Sequence, residues 1–143
     1  METAIYLHLP AGHTPTPLNG CIPFRAVLVI EQPVTHEWQT LVSEWLVWSG
    51  CLYMVAWDRD CSSWDDSVDI ANLSAFNFGE IPEDAFVMTT WHAKEPLSEA
   101  LWYAAHCAFH PSITLNRTLI VHISEEERKT ELLAAFQQAQ GDD

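Results

Sequence analysis

Short, almost wholly apolar runs constrain the fold of this chain more than any other feature. The runs FRAVLVI at 24–30 and CLYMVAW at 51–57 have the length of strands, and polar residues do not alternate with apolar ones in them. A strand that is apolar on both faces must be covered on both, which is typical of a parallel sheet between layers of helices. Three further runs complete a sheet of about five strands: TAIYLHL at 3–9, FVMTTW at 86–91 and TLIVHI at 118–123.

Helical patterns separate these runs. The clearest is expected over about residues 36–49 and carries one apolar stripe at the i, i+3, i+4, i+7, i+8 spacing. That stripe consists of Trp38, Leu41, Val42, Trp45 and Leu46. Further helices are expected over about 63–76, over about 96–109 and at the carboxyl end of the chain. In the last of these, Ser124 and Glu127 fit a capping box, which predicts that the helix begins next to Ser124.

The predicted order of elements is β, β, α, β, α, β, α, β, α. Strands that alternate with helices form right-handed βαβ units, so we predict a three-layer α/β/α sandwich with a mostly parallel sheet. A Pro-rich loop, and not a helix, follows the first strand. This leaves open an antiparallel position for that strand at the edge of the sheet. The length of 143 residues suits a single α/β domain over 1–143.

The charge of the chain restricts its partners. It has 20 acidic and 6 basic residues, which gives a formal net charge of -14. Binding to nucleic acid or to an anionic membrane requires clustered Lys and Arg, so we expect neither partner. A basic protein, in contrast, would be attracted. The sequence contains no signal-peptide pattern and no apolar run of membrane-spanning length, so we expect a cytoplasmic protein with reduced thiols.

In open α/β sheets, ligands bind beyond the carboxyl ends of the strands. We group the residues at and after those ends under one name, the carboxyl edge. Its predicted members are Glu31, Gln32, Trp57, Asp58, Arg59, Asp60, Cys61, Trp64, Thr89, Thr90, Trp91, His92, Lys94, Glu95, His122, Ser124 and Glu125. If the strands are neighbours, carboxylates, imidazoles and indoles meet there.

Four residues of the carboxyl edge are candidates for acid–base or metal-dependent chemistry: Asp58, Asp60, His92 and Glu95. Carboxylates two residues apart suit a divalent cation such as Mg²⁺, and His92 could complete a metal site with Asp58 and Asp60. This pattern predicts, as an alternative function, a divalent-metal-dependent hydrolase of a phosphate or a small acyl substrate. The simpler alternative is that both aspartates only solvate a loop and cap the following helix.

The Asp58-Arg59-Asp60 pattern, with Thr89 or Thr90 at the end of the next strand, resembles the first two motifs of haloacid-dehalogenase-type phosphatases. In that family the first Asp is the nucleophile. The family's Lys motif and its terminal acidic pair have no match in this chain. The resemblance therefore covers only these few residues.

Indoles favour a binding function for the same edge. Tryptophan supplies much of the binding energy at many interfaces, and three tryptophans are expected here. The leading hypothesis is a binding or accessory module that contacts a basic protein. Its expected binding residues are Trp57, Trp64, Trp91, Thr90, Cys61 and Ser124. Two alternatives stay open: the indoles only cap the core, or the chain forms a homodimer through the helix that carries Trp38, Trp45 and Trp48.

The segments SGCLYMVAWDRDCSSWDDSVDIANL and IPEDAFVMTTWHAKEPLSEALWYAAH resemble small bacterial proteins that are grouped as a domain of unknown function. The resemblance spans roughly residues 46–123. Its distinctive motifs are the Trp-Asp-Asp stretch at 64–66 and Thr-Thr-Trp-His at 89–92. It implies a bacterial cytoplasmic protein without an established activity, and it assigns no catalytic residue.

Overall fold

The computed structural model describes residues 3–18 and 22–142, and within these ranges the elements follow the predicted order. The strands are β1 Thr3–His8, β2 Phe24–Ile30, β3 Cys51–Asp58, β4 Met88–His92 and β5 Arg117–Ile123. The α-helices are α1 His36–Ser49, α2 Cys61–Ala75, α3 Leu97–His106 and α4 Lys129–Gly141. A short 3-10 helix, Glu83–Ala85, precedes β4.

The strands form one sheet in the order β1-β5-β2-β3-β4, and every neighbouring pair is parallel. The predicted α/β class with a parallel sheet is therefore confirmed. The antiparallel option for the first strand is wrong, because β1 pairs with β5 in parallel, from Thr3 opposite Arg117 to His8 opposite His122. Parallel neighbours bring their carboxyl ends to the same side of the sheet.

The segment after β1 explains how a parallel connection forms without a crossover helix. Residues 9–18 run along α1, where the indole N–H of Trp38 donates to the carbonyl of His13 at 2.8 Å. The indole N–H of Trp45 donates to the carbonyl of Thr16 at 3.1 Å. Of the three tryptophans that we expected in a dimer interface, these two bind the loop, and only Trp48 is largely exposed, at 73%.

Two helices cover each face of the sheet. Val42 and Leu46 of α1 pack with Val68 of α2 against one face, which we call the α1/α2 face. Leu101 of α3 and Phe136 of α4 pack against the other, the α3/α4 face. All residues of β2 are buried, as expected for a strand with cover on both sides. These layers form the predicted three-layer sandwich.

One charged residue lies in this core. Arg25 of β2 is 1% exposed, and its guanidinium donates to the carbonyl of Ala108 at 3.0 and 2.8 Å and to the hydroxyl of Thr118 at 3.1 Å. A buried charge is tolerated only when its donors are satisfied. Arg25 therefore joins β2 to β5 and to the segment after α3, at the amino ends of the strands.

The helix ends agree with the sequence at α1 and differ at α4. Thr35 caps α1 by accepting the backbone N–H of Trp38 at 3.2 Å, and Gly50 takes the left-handed conformation, with φ of 105°. The predicted capping box at Ser124 is wrong, because the cap of α4 is Arg128. The Ser124 hydroxyl donates instead to the carbonyl of Glu126 at 2.7 Å, which holds a turn ahead of the helix.

Trp64 is a structural residue of the α1/α2 face. It is fully buried and makes an edge-to-face contact with Trp38, with ring centroids 6.3 Å apart. We expect Trp64→Ala to lower the free energy of unfolding by about 3–5 kcal/mol, because the change leaves a cavity in the core. The control Trp48→Ala should change it by less than about 0.5 kcal/mol. Urea unfolding measured by circular dichroism gives both values, and equal losses would contradict the placement of Trp64.

Candidate functional site

One row of register partners crosses all five strands at the carboxyl edge. His8 lies opposite His122, His122 opposite Val29, Val29 opposite Trp57, and Trp57 opposite His92. Register partners point to the same face of a sheet, and Val29 and Trp57 pack on the α3/α4 face. This row therefore carries the imidazoles of His8 and His122 at one end and that of His92 at the other. Val29 and Trp57 lie between them.

The middle of this edge is the point where the strand order reverses. From β2 the chain moves to β3 and β4 on one side, and β5 then returns to the other side of β2. The helix after β2 packs on the α1/α2 face, whereas the helix after β5 packs on the α3/α4 face. The two connections diverge there, and such a point is the usual ligand position in open α/β sheets.

A chain of polar contacts lies at this point of the carboxyl edge, and we call it the switch-point cluster: Tyr6, Glu31, His122, Ser124 and Arg128. The Tyr6 hydroxyl lies 2.6 Å from Nδ1 of His122, and Nε2 of His122 lies 2.5 Å from Oε1 of Glu31. Arg128 pairs with the same oxygen of Glu31. Side chains from β1 and from the segments after β2 and β5 thus converge on the buried imidazole of His122, which belongs to β5.

The hydrogen bonds fix the proton positions in the cluster. Glu31 is an acceptor, so we assign the ring proton of His122 to Nε2. Nδ1 then accepts from the Tyr6 hydroxyl, and the hydroxyl oxygen accepts the backbone N–H of Arg128 at 3.0 Å. Ser124 Oγ lies 3.2 Å from the same Nδ1, but its proton is directed to the carbonyl of Glu126. When His122 is neutral, each of these groups has a hydrogen-bond partner.

Burial sets the titration of these groups. The His122 side chain has no exposed surface, and burial lowers the pKa of His122 below its ordinary value, although Glu31 opposes this effect. Burial also raises the pKa of Tyr6. For Glu31, burial alone would raise the pKa, but hydrogen bonds from His122 and Arg128 outweigh it and lower the pKa. The cluster is therefore a neutral imidazole between a neutral hydroxyl and an ionised carboxylate.

The far end of the carboxyl edge holds a second polar group, at β4. His92 Nδ1 lies 2.8 Å from Oε2 of Glu95, and Nε2 lies 3.2 Å from the hydroxyl of Thr90. The Tyr103 ring contacts the His92 ring, with centroids 4.8 Å apart. The indole N–H of Trp57 donates to the carbonyl of Glu95 at 2.7 Å. Three predicted residues, His92, Glu95 and Thr90, are thus brought together.

Trp91 projects from β4 on the opposite face. Its partner in the sheet, Ala56, packs on the α1/α2 face, and Trp91 is 51% exposed. Two positions earlier in the strand, Thr89 donates its hydroxyl to Asp69 of α2 at 2.9 Å. Burial raises the pKa of Asp69, and the charges of Asp65 and Asp66 add to this rise. An exposed indole therefore lies on a strand that packs beside an acidic helix.

Asp58 is the last residue of β3, Asp60 directly precedes α2, and both are exposed. Both have positive φ, 80° and 49°, a conformation that Asp tolerates better than most residues. Among residues 3–18 and 22–142, no three His, Cys, Asp or Glu side chains are grouped so that they could hold a metal ion. The metal site at Asp58, Asp60 and His92 stays a prediction from sequence.

Three of the six expected binding residues have little access to a partner. Trp64 is fully buried, Cys61 is 2% exposed and Ser124 is 6% exposed. Burial raises the pKa of the Cys61 thiol, so the position at the start of α2 does not favour the thiolate. Trp91, Thr90 and Trp57 keep exposed surface, and Trp91 keeps most.

Sequence reasoning missed two members of the switch-point cluster. Tyr6 lies two residues before the end of β1, and Arg128 lies in a segment that was expected to be helical. Glu31, His122 and Ser124 were expected at the carboxyl edge, but not in contact with each other. The available signal was the apolar-to-polar change at the end of each strand, which does not identify partners from distant segments.

The neutral state of His122 makes stability depend on pH. The unfolded chain binds a proton at this residue near the ordinary value of 6.5, before the folded protein does. We therefore expect the free energy of unfolding to decrease as the pH falls from about 7.5 to about 5.5. His122→Gln should lose this part of the pH dependence. Urea unfolding at several pH values tests this, and an identical slope in both proteins would contradict it.

Comparisons with known proteins give a family but no activity. Residues 4–139 match a family described as a domain of unknown function (DUF7684). No curated protein and no solved structure matches the chain. Across the described residues, no helix has the length and apolar character needed to cross a membrane. The match covers nearly the whole chain, and the protein therefore belongs to the DUF7684 family.

Proposed function

We propose that this protein is a binding module that takes a basic, extended protein segment along β4, with Trp91 as the central contact. The observation that carries the proposal is the exposed indole of Trp91 on a strand at one edge of the sheet, which contacts the acidic helix α2 through Thr89 and Asp69. Tryptophan is a frequent centre of interfaces.

The position of β4 supports an extended partner. β4 is last in the strand order and pairs with β3 alone among the described strands. The outer side of such a strand offers backbone N–H and C=O groups to a further strand. An added strand would run past Trp91 on one face and past Thr90 and His92 on the other, because side chains alternate.

The charge around Trp91 supports a basic partner. Asp65 and Asp69 lie one turn apart on the same face of α2, and Asp69 contacts β4 through Thr89. Oδ1 of Asp65 is buried and has no hydrogen-bond partner among the described residues. A Lys or Arg side chain could bind the indole face and these carboxylates together. The net charge of -14 would increase the association rate of such a basic segment.

A synthetic peptide provides a direct test. The probe is a short, end-capped peptide of alternating Arg and Val, titrated by calorimetry at about 50 mM salt. We expect wild type to bind and Trp91→Ala to bind about 30-fold more weakly, the effect of a central interface residue. Trp48→Ala is the matched control, since Trp48 is more exposed and lies on α1, and it should leave the affinity unchanged.

Two further arms complete this test. A peptide with Glu in place of each Arg should not bind, and about 500 mM salt should weaken binding of the Arg peptide. Equal affinity of wild type and Trp91→Ala would refute the proposed position. Equal affinity for the Arg and Glu peptides would refute the proposed chemistry.

The alternative, a divalent-metal-dependent hydrolase at Asp58, Asp60, His92 and Glu95, rests on the sequence pattern alone. Calorimetric titration of the protein with Mg²⁺, Mn²⁺ and Zn²⁺ tests it. The hydrolase hypothesis requires a site that Asp58→Asn weakens by about 10-fold or more. Binding that is absent, or that is equal in Asp58→Asn, would rule out this site.

A further inference from the structure

We propose that Tyr6, His122 and Glu31 form an acid–base relay in which the Tyr6 hydroxyl is the reacting group and accepts the acyl group of a small neutral ester. This site lies at the opposite end of the carboxyl edge from Trp91 and is independent of the binding function proposed above. It rests on the geometry of the switch-point cluster.

The order of the groups in the cluster is hydroxyl, imidazole, carboxylate. The Tyr6 hydroxyl is 2.6 Å from Nδ1 of His122, and Nε2 of His122 is 2.5 Å from Glu31. A hydroxyl becomes a nucleophile when an adjacent base takes its proton and a third group orients that base. Tyr6, His122 and Glu31 meet these requirements in that order.

Arg128 contributes at two positions. Its guanidinium pairs with Oε1 of Glu31, which holds the carboxylate against His122. Its backbone N–H donates to the Tyr6 oxygen at 3.0 Å. A donor aimed at that oxygen stabilises the negative charge that develops when the hydroxyl proton leaves. Arg128 is thus a positioning residue for Glu31 and a donor to the reacting atom.

Tyr6 and not Ser124 is the reacting hydroxyl. Ser124 is 6% exposed, lies farther from Nδ1, at 3.2 Å, and donates its proton to the carbonyl of Glu126. Tyr6 is half-buried, whereas Ser124 is buried. A phenolate is a better leaving group than an alkoxide, which suits reversible acyl transfer.

The negative charge next to the cluster excludes anionic substrates. Glu125, Glu126 and Glu127 lie exposed in the turn after β5, next to the cluster, and the chain carries a net charge of -14. An anionic substrate would be repelled from this surface. A small neutral ester would not be repelled, and the cluster lies at the reversal of strand order, where open α/β sheets usually take a ligand.

The reaction balances without a further reagent. The Tyr6 oxygen attacks the ester carbonyl, and His122 Nδ1 takes the hydroxyl proton while Glu31 supports the charged imidazole. The new bond joins the Tyr6 oxygen to the acyl carbon, and the bond from that carbon to the alcohol oxygen breaks. The leaving alcohol, or the solvent when the leaving group is a stable phenolate, receives the proton.

The test uses the intact wild-type protein and p-nitrophenyl acetate as the neutral ester. The chain has 3 tyrosines, Tyr6, Tyr53 and Tyr103, and mass spectrometry of peptides reports acetylation at each. Tyr103 is the internal control, because it is also half-buried but, within residues 3–18 and 22–142, its hydroxyl has the Tyr53 hydroxyl as its hydrogen-bond partner, at 2.7 Å. We expect Tyr6 to be acetylated at least about 100-fold faster than Tyr103.

A matched pair of variants tests the relay itself. Glu31→Gln removes the carboxylate that orients His122 and should slow Tyr6 acetylation by about 10-fold or more. Glu131→Gln is the control, since Glu131 pairs with the same Arg128 at 3.3 Å but does not contact His122, and the rate should not change. Equal rates at Tyr6 and Tyr103 in wild type, acetylation at Ser124, or an unchanged rate in Glu31→Gln would each overturn the proposal.

Discussion

The parallel pairing of β5 with β2 is the constraint on which the rest of this structure depends. It joins the β2-β3-β4 half of the sheet to the β5-β1 half, with Arg25 opposite Thr118 at one end and Ile30 opposite Ile123 at the other. Both strands are almost completely buried, so the pairing is fixed by apolar burial on two faces. A slip of one residue would exchange the two faces of β5 and move His122 away from Glu31.

The pairing also decides where polar groups can meet. The carboxyl ends of all five strands lie at one edge, and the neighbouring ends of β2 and β5 lead to helices on opposite faces. His122 would be an unfavourable buried group on its own. Tyr6 and Glu31 supply its partners from other segments, and Arg128 pairs with Glu31, so the core remains stable with a titratable ring inside it.

The two ends of the carboxyl edge differ in chemistry. Five strands span about 19 Å from one end of the row to the other, at about 4.8 Å for each interval. At the β1-β5-β2 end, polar groups are buried and satisfy each other. At the β4 end, Trp91 is exposed on a strand that packs beside the acidic helix α2. A reaction at the first end and a partner at the second can therefore be present in one small domain without competition for space.

Much of this architecture follows from local sequence, whereas the contacts at the edge do not. The two-sided apolar runs of β2 and β3 predicted buried parallel strands, and Thr35 and Gly50 predicted both ends of α1. The direction of β1 could not be predicted, because an extended loop on α1 replaces the usual crossover helix. Tyr6 and His122 lie 116 residues apart in sequence. No local pattern identifies such a pair, since the strand order alone brings it together.

Local pattern also could not separate Trp64 from Trp91. Both were expected at the carboxyl edge, but Trp64 lies on the inner face of a helix and Trp91 lies within a strand at one edge of the sheet. Burial of an indole depends on which element covers it, and this is a property of the assembled layers.

The contacts of the switch-point cluster are tested most directly by measuring the protonation state of His122. NMR of the ring nitrogens over a pH titration reports both the charge and the position of the ring proton. We predict a neutral ring at about pH 7, with the proton on Nε2, and a pKa of His122 below the ordinary value of 6.5. A ring that is charged at about pH 7, or that carries its proton on Nδ1, would contradict it.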